Sequence, residues 1–148
     1  MPEGGFAFWA YADPPYGQTG DFYYNIPTGK WRWFYNGVWA NVPFTFTKGG
    51  VAENPAAGQV VLWVAPEPCT AINVRAYQNV GTGSVLTAYH NSADLLVTDI
   101  TIAQAATWQA GGTLQNQSFA AGDTLSMNLV SISGSPAYVT VQVDFTDP

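Results

Sequence analysis

Charge is scarce in this chain. Only 9% of its 148 residues are Asp, Glu, Lys or Arg, against about 25% in an ordinary domain. Its basic residues are Lys30, Arg32, Lys48 and Arg75, and none follows Arg75. The net charge is –6. Binding nucleic acid requires cations to neutralise phosphates, so this balance excludes a direct nucleic-acid partner. Cysteine is limited to Cys69, which excludes an internal disulfide. No basic group flanks Cys69 to stabilise a thiolate, so it reads as a small buried hydrophobe beside Val64 and Ala71. Long apolar runs are missing too, and Met-Pro-Glu-Gly-Gly carries no basic n-region. Neither a signal peptide nor a membrane span is expected.

Histidine is represented by His90 alone. A nucleophile–base pair needs a partner, and a zinc site needs three or four ligands. No Asp-rich loop offers a calcium site. Asp94 and Asp99 read as flanking one strand on opposite faces, and Asp144 and Asp147 as solvated strand-end groups. Neither pair has an apolar pocket that would separate two carboxylate pKa values. The expectation is no enzyme, no metal and no cofactor.

Aromatic residues are abundant, at 15%, with six Trp, eight Tyr and eight Phe. Rings at this density with so little charge point to a surface hidden in an assembly or used for binding. They concentrate early in the chain. Residues 1–20, rich in Pro, Gly and rings, read as an extended arm ordered by lying on something, anchored by Phe6, Phe8 and Tyr11. Residues 21–47 read as a small aromatic β-meander. Its strands are Phe22–Ile26, Trp31–Tyr35, one beginning at Val38 and one over Phe44–Thr47. Asn36-Gly37 is a strong hairpin signal, because both central residues of a type I′ turn need positive φ. The candidate partner or subunit interface comprises Phe6, Phe8, Trp9, Trp31, Trp33, Tyr35 and Trp39. A sugar-stacking platform is the competing use of the same rings.

Residues 48–58 read as a linker, from Lys48-Gly-Gly and Asn54-Pro-Ala-Ala-Gly58. Residues 59–148 read as an all-β, antiparallel β-sandwich of jelly-roll type. Strands are expected near 59–65, 70–78, 83–90, 94–102, 113–119, 123–132 and 136–146. Val139, Val141, Val143 and Phe145 point one way, and Tyr138, Thr140, Gln142 and Asp144 the other. That period of two marks a half-buried strand. Val60–Val64, apolar on both faces, is expected to be central. Ala103–Ala106 lacks the length and caps of a helix.

Two stretches carry a family resemblance. Gly17 through Trp39, with Gly20-Asp-Phe-Tyr-Tyr, Thr28-Gly and Asn36-Gly-Val-Trp, resembles the short hairpins of bacteriophage fibre proteins. Thr70–Tyr77, Thr107-Trp, Ala121-Gly-Asp-Thr-Leu and Gly134 through Phe145 resemble small β-sandwich domains of phage virions. Those occur in capsid decoration (cement) proteins, head fibres and tail-fibre tips, and are commonly homotrimers. The resemblance implies a structural virion protein on the capsid surface, made in the host cytoplasm, with no catalytic residues to transfer. Its implied partners are two further copies of itself and a major capsid protein or other virion protein. Membrane is not among them. Long fibres usually include a repetitive shaft or anchoring region, which this chain lacks, favouring a short capsid-bound protein. The alternative is a receptor-binding fibre tip that recognises host cell-surface glycan through the loops at 81–83, 91–94 and 111–112.

Overall fold

The computed structural model describes residues 9–42 and 44–147. The chain divides into two compact units, Met1–Pro43 and Phe44–Pro148.

The first unit is one four-stranded sheet in sequential order: β1 (Trp9–Ala10), β2 (Phe22–Asn25), β3 (Lys30–Tyr35) and β4 (Val38–Asn41). β1 runs parallel to β2, and the other pairs are antiparallel. Asn36 and Gly37 both take positive φ, 50° and 80°, as the β3–β4 hairpin requires. Part of the arm expected at 1–20 is thus a strand of the meander, and Phe6 and Phe8 lie outside the described residues.

The second unit is the sandwich. It contains β5 (Thr45–Glu53), β6 (Gly58–Val64), β7 (Cys69–Gln78), β8 (Val85–His90), β9 (Ala93–Asp94), β10 (Ile100–Thr101), β11 (Gln109–Ala110), β12 (Ser118–Phe119), β13 (Thr124–Ser131) and β14 (Tyr138–Thr146). One sheet has the order β10-β8-β13-β6, with β9 also on β8. The other has the order β11-β7-β14-β5, with β12 also on β7. All pairs are antiparallel. Counting β9 with β10 and β11 with β12, each sheet interleaves early and late strands as a jelly roll does.

Alternation explains the core. Val139, Val141, Val143 and Phe145 of β14 are wholly buried, as are Leu125 and Met127 of β13 and Leu86 and Ala88 of β8. Burying each large apolar side chain contributes about 1.5–3 kcal/mol. Rings close one end of this core. Phe145 lies 5.3 Å from Phe46, 5.3 Å from Trp63 and 5.2 Å from Phe119, between centroids.

The structure departs from expectation in four places. Phe44–Thr47 is not a fourth meander strand, and 48–58 is not a linker. Residues 45–53 form one continuous strand paired along its whole length with β14. Glycine there serves close packing: a Cβ on Gly50 would overlap the Leu62 side chain. Val60–Val64 is not central, because β6 is a sheet edge and a bulge opposite Leu125 and Ser126 shifts its register. Val60, Val61 and Val64 are consequently exposed. The strands expected at 94–102 and 113–119 are broken into the short pairs of β9, β10 and β12 and one bridge, Leu96 to Leu114.

Candidate functional site

The first unit has two unlike faces. Cross-strand pairs Phe22–Trp33, Tyr24–Trp31 and Trp9–Tyr24 place Trp9, Phe22, Tyr24, Trp31, Trp33 and Tyr35 on one side. Trp33 and Tyr35 stack at 5.3 Å, with ring planes 13° apart. Trp31 contacts Phe22 at 5.8 Å and Tyr24 at 5.6 Å. Trp9 is 65% exposed, Phe22 52%, Tyr35 49% and Trp33 38%. Four of the expected interface residues, Trp9, Trp31, Trp33 and Tyr35, therefore share this face.

Trp39 does not. It lies on the opposite side, edge-on to Tyr23 at 5.0 Å and to Phe34 at 5.2 Å. Its indole Nε1 donates to the Pro14 carbonyl at 2.9 Å. The segment around Asp13 to Gly17 covers this side. The Tyr23 hydroxyl donates to Asp13. Arg32 donates to Asp13 through Nε at 3.1 Å and Nη2 at 2.8 Å, and to the Trp39 carbonyl at 2.8 Å. Burial, and then the Asp13 bond, push the Tyr23 phenol above its ordinary value. Residues 13–17 thus lie on the meander, and Trp39 packs beneath them rather than beside Trp33.

On the sandwich, His90 is not isolated. Its Nε2 stands 2.8 Å from Asp123 Oδ2, and its Nδ1 stands 2.8 Å from the Asn116 carbonyl. Both ring nitrogens are thus occupied by contacts within the chain. Asp123 also accepts from Asn91 Nδ2 at 2.9 Å and from the Ala120 backbone at 2.7 Å. The Asn91 bond, the Ala120 bond and then His90 lower its pKa to about 2. An open cleft of about 550 Å³ lies beside His90, lined by Leu114 to Ser118. Asp94 lies on β9 and Asp99 beyond it, so they do not flank one strand. Among the described residues, no cluster of three or more His, Cys, Asp or Glu could hold a metal.

A second surface had no single signal in the sequence. Asn73, Arg75 and Tyr77 on β7 pair with Asp144, Gln142 and Thr140 on β14, all on the outer face. Asp144 is not a free strand-end carboxylate. It accepts from Thr47 Oγ1 at 2.6 Å, from Asn73 Nδ2 at 3.0 Å and from Arg75 Nη2 at 2.9 Å. Its partial burial alone would raise its pKa. The Thr47 and Asn73 bonds and the Arg75 charge outweigh that and hold it below the ordinary value. Tyr77 lies 5.4 Å from Trp108 and 6.0 Å from Tyr138. The neighbouring Tyr138 hydroxyl pushes the Tyr77 phenol above its ordinary value. Arg75 Cζ sits 5.9 Å from the Trp108 ring.

Two surfaces thus present rings to solvent, one on each unit, and the polar groups around them are held in internal bonds. The chain matches no protein-family model and no curated protein.

Proposed function

We propose that this chain is a structural protein of a bacteriophage virion surface, a homotrimer that decorates or cements a capsid shell and attaches through its N-terminal unit. The observation that carries this reading is the asymmetry of the β1–β4 sheet. One side is sealed by the chain's own residues 13–17, while the other exposes Trp9, Phe22, Trp33 and Tyr35. An apolar ring face of this kind is an association surface. A small sheet gains from burying it, because few-stranded sheets are marginal alone in water. Two further copies of the chain are the occupants that fit, since a ring face paired with ring faces needs no charge, and the chain has little. The resemblance to virion proteins supplies the setting. The jelly roll is compatible with it, because capsid and lectin domains both use this architecture, although a fold does not fix a function.

Native mass spectrometry of the isolated chain should give a trimer. Capsids stripped of their surface proteins should take that trimer up again. Trp33→Ala should shift the chain toward monomer while the sandwich melts as before. A stable native monomer, or a trimer that no capsid takes up, would overturn the proposal.

A further inference from the structure

We infer that the outer face of the β7–β14 sheet is a binding site for an uncharged glycan chain, with Trp108, Tyr77 and Tyr138 as its ring contacts and the Asp144 network as its hydrogen-bonding end. This inference is independent of the assembly reading, because it uses a different surface on a different unit.

A sugar ring is amphipathic. Its C–H faces pack on aromatic side chains, and its hydroxyl rim needs fixed donors and acceptors. The sheet face offers both, sorted along β14. At the Tyr138 end stand three rings, with Tyr77 in contact with both Trp108 and Tyr138, and Trp108 is 45% and Tyr138 38% exposed. Thr140 and Gln142 follow in the middle. Asp144 stands at the far end with Asn73, Arg75 and Thr47. From Tyr138 to Asp144 the strand advances about 20 Å at strand rise, enough for several sugar rings in line rather than one. Gly49 carries no side chain where it pairs beside Gln142, which keeps the β5 edge of that row low.

Charge selects the ligand class. Arg75 and Asp144 neutralise each other across the strands at 2.9 Å. Neither offers a free charge to a ligand. The chain as a whole is anionic at –6, which disfavours uronic or sulfated sugars. The polar groups are also fixed in advance. Asp144 is held from β5 and β7 at once, so little ordering cost falls on binding.

In two of the loops expected to read glycan, Gly81 packs its backbone directly on Gly134 and Gly111 packs on Leu96, so these two glycines serve internal contact.

The test uses the full chain titrated with neutral hexasaccharides of β1,4-glucose, α1,4-glucose and β1,4-galactose, and with an acidic galacturonate hexamer. Binding is read by calorimetry and by tryptophan fluorescence. At least one neutral chain should bind, and the acidic one should not. Trp108→Ala and, separately, Tyr138→Ala should weaken that binding by about tenfold or more, as loss of a central ring contact does. Tyr16→Ala, a ring on the other unit, should leave it unchanged. Thermal melts check that each variant is folded. Three results would each overturn the inference: no neutral hexasaccharide bound at millimolar concentration, equal binding of the acidic chain, or folded Trp108→Ala and Tyr138→Ala variants that bind like the native chain. A change of oligomeric state in Trp108→Ala with no effect on sugar would assign the face to subunit contact instead.

Discussion

The His90 ring stacks on Phe119, 4.0 Å between centroids with planes 21° apart. That contact ties the polar bonds of His90 to the ring cluster at the end of the core. The bonds reach Asp123 before β13 and Asn116 before β12, so one side chain pins two turns to the end of β8.

Asp123 should make stability acid-sensitive. Its native pKa, about 2, lies below the ordinary value of 3.8, so its contribution is complete above about pH 4 and is lost as pH falls through about 2. Urea midpoints measured at about pH 5, 3 and 2 should fall for the native chain. Part of that fall should be missing in Asp123→Asn. His90→Phe keeps a stacking ring and loses both bonds, at a cost of about 1–3 kcal/mol. An unchanged urea midpoint for His90→Phe would contradict the pinning role.

Two glycines should behave differently. Gly81 has φ +71°, and a Cβ there would overlap the Gly134 backbone. Gly122 has φ +93° and open space around it. Gly81→Ala should therefore cost about 2–5 kcal/mol, combining strain and overlap. Gly122→Ala should cost only about 1–2 kcal/mol, from strain alone. Chemical denaturation of the two variants side by side checks the ordering.

Gly17→Ala should loosen the seal on the first unit. A Cβ at residue 17 would stand 2.6 Å from the Phe34 ring and 3.0 Å from Trp39. The expected cost is about 1–3 kcal/mol, confined to that unit. Tryptophan emission should shift to the red, and exchange of the Trp39 indole proton should quicken, with the sandwich amides unaffected.

Cys69 should be inert in the folded chain. Burial first, and then the charges of Asp147, Glu67 and Asp123, push its thiol above its ordinary value. A disulfide-exchange reagent at pH 8 should label it only as fast as the chain unfolds. Rapid labelling of the native protein would contradict this.

Much of the sandwich was legible because its long strands alternate strictly. Val139 to Phe145 show their inward face without help, and Asn36-Gly37 announces its own turn geometry. The failures have physical causes. Val60 to Val64 looks like a strand buried on both sides, yet a bulge turns Leu62 and Trp63 toward the core and leaves Val61 and Val64 outside. Lys48-Gly-Gly looks like a linker, yet those glycines let β5 approach Leu62 and Val141 closely. Trp108 sits in no periodic segment, so nothing local marks its contact with Tyr77. His90 and Asp123 meet only because β8 and β13 are neighbours. The period of two in β3 puts Trp31, Trp33 and Tyr35 on one face, whereas the place of Trp39 across the hairpin turn shows only in its pairing with Phe34.

The position of β14 has a consequence for how the chain is made. It follows both β5 and β7 in the sequence, yet it lies between them in the middle of its sheet. Until a ribosome has released Tyr138–Thr146, β5 and β7 have no partner between them, and Val74 and Ala76 have no completed core to enter. The sheet must therefore close after these residues are synthesised, through contacts of very long sequence separation, which are slow to form. During that interval the nascent chain carries unpaired apolar strands, and it is then that chaperones or early self-association would act on it.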